Sequence, residues 1–221
     1  MMRIIRAFAA IVLAVAAIPA KAALIDFTAT SDTTVTVDGI TATVQAEYGT
    51  LEWTDFDGAF DAEPCENGLG LLACVYDGVG VTDDEVTYGI GAGAESLLVS
   101  FSEIVNVTGI YLFDLFSAGD DGPNNPAEVA KMTFYDATDA EIAFASLVGS
   151  APPGTLSGYK SLTDTFYNVS SIRFYTDEVA NSDFALAGIS VTSVPEPATL
   201  LLFGSGLLGL GFLGRRRVSA T

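Results

Sequence analysis

The 221-residue chain contains no histidine and only two cysteines, and it sets 9 basic side chains against 28 acidic ones. Each shortage removes a class of function. Without imidazole there is no Ser-His-Asp or Cys-His relay and none of the usual imidazole-rich zinc or copper sites. The two thiols, Cys65 and Cys74, lack the spacing of a Cys-x-x-Cys redox motif and the co-ligands of a thiolate-built metal site. Nine positions apart in a chain that bears export signals, they are expected to form a disulfide, and closing that short loop stabilises a fold by roughly 2.5–3 kcal/mol through chain entropy.

The lack of cations is sharper than the totals indicate, because six of the nine basic residues lie near the chain ends. Residues 23–193 carry 27 Asp plus Glu against Lys131, Lys160 and Arg173, a net charge of −24. Such a surface repels nucleic acid and anionic lipid, so nucleic acid is excluded as a partner. Multivalent cations or a salty medium would screen its self-repulsion.

Long hydrophobic runs are absent from the body and occur only at the two ends. At the start, Arg3 and Arg6 precede an apolar stretch from Ala7 to Ile18, and Ala20-Lys21-Ala22 places small residues at both positions of a signal-peptidase site. Residues 1–22 are therefore expected to be a signal peptide, too short in its apolar part to span a bilayer permanently. At the other end Val194-Pro195-Glu196-Pro197 leads into the uncharged run Ala198 to Gly214, followed by Arg215, Arg216 and Arg217. As a helix those 17 residues rise about 26 Å, close to the minimum for crossing a hydrocarbon core. Three arginines cannot follow into lipid without a penalty of roughly 2.5–3.5 kcal/mol each, so they stop transfer and stay cytoplasmic. Pro195 and Pro197 end the preceding strand and stiffen an extended junction that a protease can read.

This tail, residues 194–221, resembles that of the PEP-CTERM proteins of Gram-negative bacteria, in which a Pro-Glu-Pro motif, a short membrane helix and a basic cluster follow one another. The resemblance implies recognition by an exosortase, a membrane-embedded cysteine peptidase. It also implies anchoring in the inner membrane before processing and delivery to the cell surface or an exopolysaccharide matrix. The stretch from Gly78-Val79-Gly80-Val81 to Asp84-Glu85, then Glu95 to Phe101, also resembles a pattern in the bodies of many such proteins, with Asp183 to Leu186 as the matching last strand. Where relatives continue that strand with Asp-Asn or Asp-Asp, Ala187-Gly188 stands here, which removes one plausible carboxylate ligand.

Residues 23–193 suffice for one all-β domain. From Thr34 to Val44 apolar and polar residues alternate on both sides of Asp38-Gly39, the pattern of a two-residue hairpin, and its register sets Val37 opposite Ile40 and Val35 opposite Ala42. Further strands are expected at Leu24 to Thr28, Glu47 to Trp53, Leu97 to Phe101, Val107 to Phe116, Lys131 to Asp136, Glu141 to Leu147, Phe166 to Tyr175 and Phe184 to Val191. They are rich in Val, Ile, Thr, Phe and Tyr and punctuated by Gly, Asp, Asn and Pro. Pro126 to Lys131 has room for a short helix. The architecture expected is a jelly-roll-like antiparallel β-sandwich with Phe and Tyr mainly in its core, followed by a single transmembrane helix at 198–214.

Two acidic segments offer hard oxygen ligands of the type calcium takes: Asp83, Asp84 and Glu85 in one, Asp120 and Asp121 in the other. Neither has EF-hand spacing. Tyr48, Trp53 and Tyr76 flank acidic segments and are candidates to stack on sugar rings. The inventory fits a non-catalytic exported protein whose body binds polysaccharide or Ca²⁺. The alternatives are a carboxylate-dependent glycan-acting enzyme, whose acid pair the abundance of carboxylates alone does not identify, and a self-associating adhesive unit bridged by divalent cations.

Overall fold

Two consecutive residues with positive φ, Asp38 (53°) and Gly39 (90°), make the tight turn whose twist matches that of the strands it joins. Around it the hairpin forms in the expected register, Val37 opposite Ile40 and Val35 opposite Ala42. The computed structural model describes residues 22–53, 71–82, 85–89, 93–117, 126–150, 152, 158–176, 182–194 and 206. Its strands are β1 (Ala22–Asp26), β2 (Thr34–Val37), β3 (Ile40–Glu47), β4 (Leu51–Glu52), β5 (Gly80–Val81), β6 (Tyr88–Gly89), β7 (Gly93–Ala94), β8 (Ser96–Phe113), β9 (Val129–Tyr135), β10 (Glu141–Val148), β11 (Lys160–Leu162), β12 (Phe166–Thr176) and β13 (Ala185–Ser193). Nine of them join in one antiparallel sheet ordered β1-β13-β8-β12-β9-β10, with β3 and β11 also paired to β8 and β2 paired to β3; β4-β5 and β6-β7 are two small separate pairs.

The axis of this sheet is β8. Its first part, residues 96–101, lies between β3 and β12. Its second part, 105–113, pairs with β13, and residues 110–112 also pair with β11. Between the two, Ser102, Glu103 and Ile104 are exposed, and β12 cuts across this corner, stepping from Val105 to Ser100 while advancing only from Val169 to Ser171. A strand that changes partners turns its outside to water at the bend, which is why polar residues stand in its middle. Two expected strands are thus one.

Alternation puts Leu97, Val99, Val105 and Val107 of β8 on the inner face, and then the parity changes to Ile110 and Leu112. The register slips between Ser190 and Val191 opposite Gly109 and Val107, a bulge that inserts one residue and moves the following side chains to the other face. A second slip, between Leu186 and Gly188, resets β13 in the same way. Both halves of β8 consequently feed one main core with Ile25, Phe27, Phe134, Ile172, Phe174, Phe184 and Ile189, where Phe134 stacks on Phe166 at 3.8 Å. A smaller cluster, Leu72, Phe113, Ala185 and Ala187, lies apart from it.

Several expectations are corrected. Pro126 to Lys131 is not a helix, since residues 126–128 lack regular structure and β9 begins at Val129. The strand expected over Glu47 to Trp53 is interrupted at Tyr48 (φ 66°) and Gly49, leaving only β4 after the break. Tyr48, Phe144 and Tyr167 are exposed, while Phe27, Phe113, Phe116, Phe134, Phe174 and Phe184 are core. The signal-peptide residues before Ala22, the Pro-Glu-Pro motif and the three terminal arginines lie outside the described residues. Of the apolar run 198–214 only Gly206 is described, in helical conformation, and among the described residues no helix is long and apolar enough to cross a membrane.

Candidate functional site

Because strands β3, β8, β12, β9 and β10 lie side by side in register, the residues pointing away from the core fall into rows that can be read from the pairing. One row runs Glu47, Ser96, Tyr175, Lys131, Ser146; the next Gln45, Leu98, Arg173, Thr133, Phe144; the third Thr43, Ser100, Ser171, Tyr135, Glu141. Neighbours along a row have Cβ atoms about 4.5–5.5 Å apart. The face thus gathers three aromatic rings, a series of hydroxyls and two of the body's three basic residues, Lys131 and Arg173, with Phe144 51% exposed.

A polar network fixes one end of it. Arg173 Nε stands 2.8 Å from Glu47 Oε2, the Ser96 hydroxyl donates to the same oxygen at 2.8 Å, and Arg173 Nε and Nη2 both lie 3.3 Å from Ser96 Oγ. The guanidinium also sits 5.9 Å from the centre of the Tyr175 ring, whose hydroxyl is 3.4 Å from Thr133 Oγ1. Arginine at position 173 therefore ties three strands together and braces the ring at 175. Planar rings with donors and acceptors beside them can stack on the apolar face of a sugar while binding its hydroxyls.

The residues singled out from sequence fall into separate surroundings. Tyr48 directly follows Glu47 at the edge of this face and is 66% exposed. Trp53, after β4, packs in part against the main core, and its indole Nε1 is buried without a hydrogen-bond partner among the described residues. Tyr76 belongs to a loop fastened to the end of β1: Ala73 N donates to Asp26 Oδ2, Cys74 N to Thr28 Oγ1, and both Val75 N and Tyr76 N to Thr28 O. Cys74 sits in that loop and Cys65 lies outside the described residues; there is no free cysteine among the described ones. The Glu85 carbonyl accepts from Val81 N at 3.0 Å, while Asp83, Asp84, Asp120 and Asp121 lie outside the described residues. Among those that are described, no group of three or more His, Cys, Asp or Glu is placed to hold a metal.

The rings at 135, 144 and 175 escaped the sequence reading. A signal was present: Arg173 and Tyr175, like Lys131, Thr133 and Tyr135, occur two apart and so share one face of a strand. Glu95 was also passed over as a structural residue; it is buried and its Oε2 accepts from Thr87 N and Thr87 Oγ1 at 3.1 and 2.8 Å.

β13 ends at Ser193, and there a family match begins: the PEP-CTERM protein-sorting motif matches residues 193–217. The motif supports exosortase-dependent sorting of an exported protein, with the exosortase as processing partner and the tail as membrane anchor. No curated protein shows a significant match to the chain.

Proposed function

We propose that this PEP-CTERM-tailed chain is a non-catalytic envelope or matrix protein whose acidic β-sandwich body binds polysaccharide across the outer rows of β3, β8, β12, β9 and β10. The observation that carries the reading is the alignment of Tyr175, Phe144 and Tyr135 with Arg173, Lys131 and the part-exposed Ser100 hydroxyl on one face. Tyr48 extends the platform at its edge, whereas Trp53 packs in part against the main core. The sandwich reading is supported by the single main core to which both halves of β8 contribute, since a sheet bent at residues 102–104 folds its inner face upon itself.

Export through a signal peptide, a Cys65–Cys74 disulfide and a membrane helix at 198–214 complete the proposal. The charge of −24 over residues 23–193 makes divalent cations the second ligand class, and calcium is expected to raise the melting temperature beyond the effect of matched ionic strength. For polysaccharide, the test is retention of the purified protein on exopolysaccharide gels. Tyr175→Ala combined with Phe144→Ala is expected to abolish retention while the circular dichroism spectrum is kept. Undiminished retention of that variant removes the face from consideration, and hydrolysis of any glycan by the protein turns the reading toward an enzyme. For sorting, replacement of Pro195, Glu196 and Pro197 by alanine is expected to leave unprocessed protein in the inner membrane, and normal surface delivery of that variant contradicts the assignment.

A further inference from the structure

Both ends of the chain leave the body at one corner. In β1 Ala22 pairs with Thr192, and in β13 Ser193 pairs with Val105, so the segment leading in from the N-terminal apolar stretch and the segment leading out to the C-terminal one emerge side by side. Ser193, the last residue of β13, thus lies opposite Val105, the neighbour of Ile104 in the chain. Only residues 194–197 separate Ser193 from the apolar run that starts at Ala198, and four residues span at most about 14 Å when fully extended. On the other side three residues, Pro19 to Lys21, separate Ile18 from β1 and span at most about 11 Å. Whichever hydrophobic segment is held in a bilayer, this corner is the part of the body held against it.

The same corner exposes apolar surface. Ile104 is 41% exposed and Tyr167 66% exposed. They are placed together by β8 and the start of β12, where Phe166 pairs with Val107 and Asn168 N donates to Asn106 Oδ1 at 3.2 Å. Isoleucine gains by leaving water, and tyrosine suits the headgroup boundary, where the ring is sheltered and the hydroxyl stays wet. The nearby carboxylates include Glu103, next to Ile104 and exposed, Asp164, exposed and three residues before Tyr167, and Asp38 in the turn preceding β3, whose Thr41 N donates to Ser102 Oγ at 3.0 Å. These acids belong in the aqueous headgroup layer and oppose anionic lipid.

We propose that the corner bearing Ile104 and Tyr167 docks onto the bilayer that anchors the chain, holding the body in a fixed orientation with its sorting motif at the membrane surface. Two side chains are too small a patch to recruit a free body. A tether of four residues makes the contact intramolecular, at an effective concentration in the millimolar range, and a weak contact then suffices. The inference rests on the reading that residues 198–214 anchor the chain in lipid.

The sole tryptophan, Trp53, makes a clean test possible. In a Trp53→Phe background, Tyr167→Trp, Ile104→Trp and, as a control on β10 near the far edge of the sheet, Phe144→Trp each supply a single fluorophore. The full chain is reconstituted into phosphatidylethanolamine-rich vesicles, flotation reports anchoring, and acyl-brominated lipid reports contact with the bilayer. The expected result is flotation of all three variants, with emission at positions 104 and 167 blue-shifted and quenched at least twofold and emission at position 144 unchanged. Raising the phosphatidylglycerol fraction is expected to reduce the quenching. Variants that float with no quenching at 104 and 167, or with equal quenching at 144, overturn the docking and leave the anchor intact. A chain that does not float overturns the anchor and the docking with it.

Discussion

From Ser96 to Phe101 the outward side chains of β8, Ser96, Leu98 and Ser100, belong to a face of hydroxyls, charges and aromatic rings. From Gly109 to Phe113 the outward side chains include Tyr111 and Phe113, which pack with Leu72, Ala185, Ala187, Cys74 and Tyr159 in the second apolar cluster. Both halves send their inward residues to the same core, so the difference lies in what covers the back of the strand. Over the second half, the loop of Leu72 and Cys74 and the segment around Tyr159 close the sheet, and that half carries structure. Over the first half no such cluster forms among the described residues, and Leu98 and Ser100 stay partly exposed there.

The largest expected effect tests this contrast directly. Phe113→Ala removes a fully buried ring and is expected to lower stability by about 3–5 kcal/mol, whereas Leu98→Ala, at the equivalent outward position of the other half and only partly buried, should cost less than about 1.5 kcal/mol. Chemical denaturation of the two variants measures both, and equal losses would mean that the two faces are equally covered. Gly158 sharpens the same point: it has φ 58°, and a Cβ there would collide with the Leu115 amide nitrogen. A side chain at position 158 therefore disturbs the cover itself.

Next in size is the proposed Cys65–Cys74 disulfide. Cys74→Ser is expected to destabilise the fold by about 2–3 kcal/mol through the lost loop constraint and to loosen the loop whose amides at 73–76 are bonded to Asp26 and Thr28. Hydrogen exchange should accelerate at those four amides before it changes at Leu97 or Val99. Uniform acceleration across both halves would show that the loop is not an independent cover.

A pH dependence belongs to the covered half as well. Burial pushes the Tyr159 phenol above its ordinary value, with Tyr111 raising it further and a hydrogen bond with Ser161 opposing the shift. A folded pKa above the unfolded one means that the neutral phenol is favoured by the fold. Its contribution is complete below the unfolded pKa near 10 and disappears as pH rises through the higher folded value. Stability should accordingly fall on the alkaline side, and Tyr159→Phe should flatten that limb while leaving the curve between pH 7 and 9 unchanged. A limb that survives the substitution must come from another group.

What could be read from the residues, and what could not, follows the same division. The hairpin at Asp38-Gly39 was legible down to its register, because a two-residue turn with a demanding backbone and strict alternation leave a single pairing that keeps Val35, Val37, Ile40 and Ala42 on one side. The continuity of β8 was not, because Ser102 and Glu103 look like a loop although they mark a strand passing from one set of partners to another. Bulges also hide from pattern reading. They shift the parity of Ile110 and Leu112 relative to Val105 and Val107, so apolar residues occupy both parities and no single face can be assigned. For the candidate site, the sequence pointed to aromatic residues in loops. Tyr135 and Tyr175 each directly follow a core phenylalanine, Phe134 and Phe174, and only the register separates the two sets.

The smallest expected effect concerns the network on the open face. Glu47 and Arg173 are each 39% exposed at the side chain, so water screens much of their attraction, and a double-mutant cycle with Glu47→Gln and Arg173→Met should give a coupling of only about 0.2–1 kcal/mol, diminishing in high salt. The functional consequence should exceed the energetic one. Without Arg173 the ring of Tyr175 loses its cationic neighbour at 5.9 Å and the tie from Glu47 through Ser96 to β12. Polysaccharide retention should then weaken although the melting temperature scarcely moves. A large stability loss with unchanged retention would place Arg173 with the covered half, among residues that hold the sheet together, and would leave the open face without its organising charge.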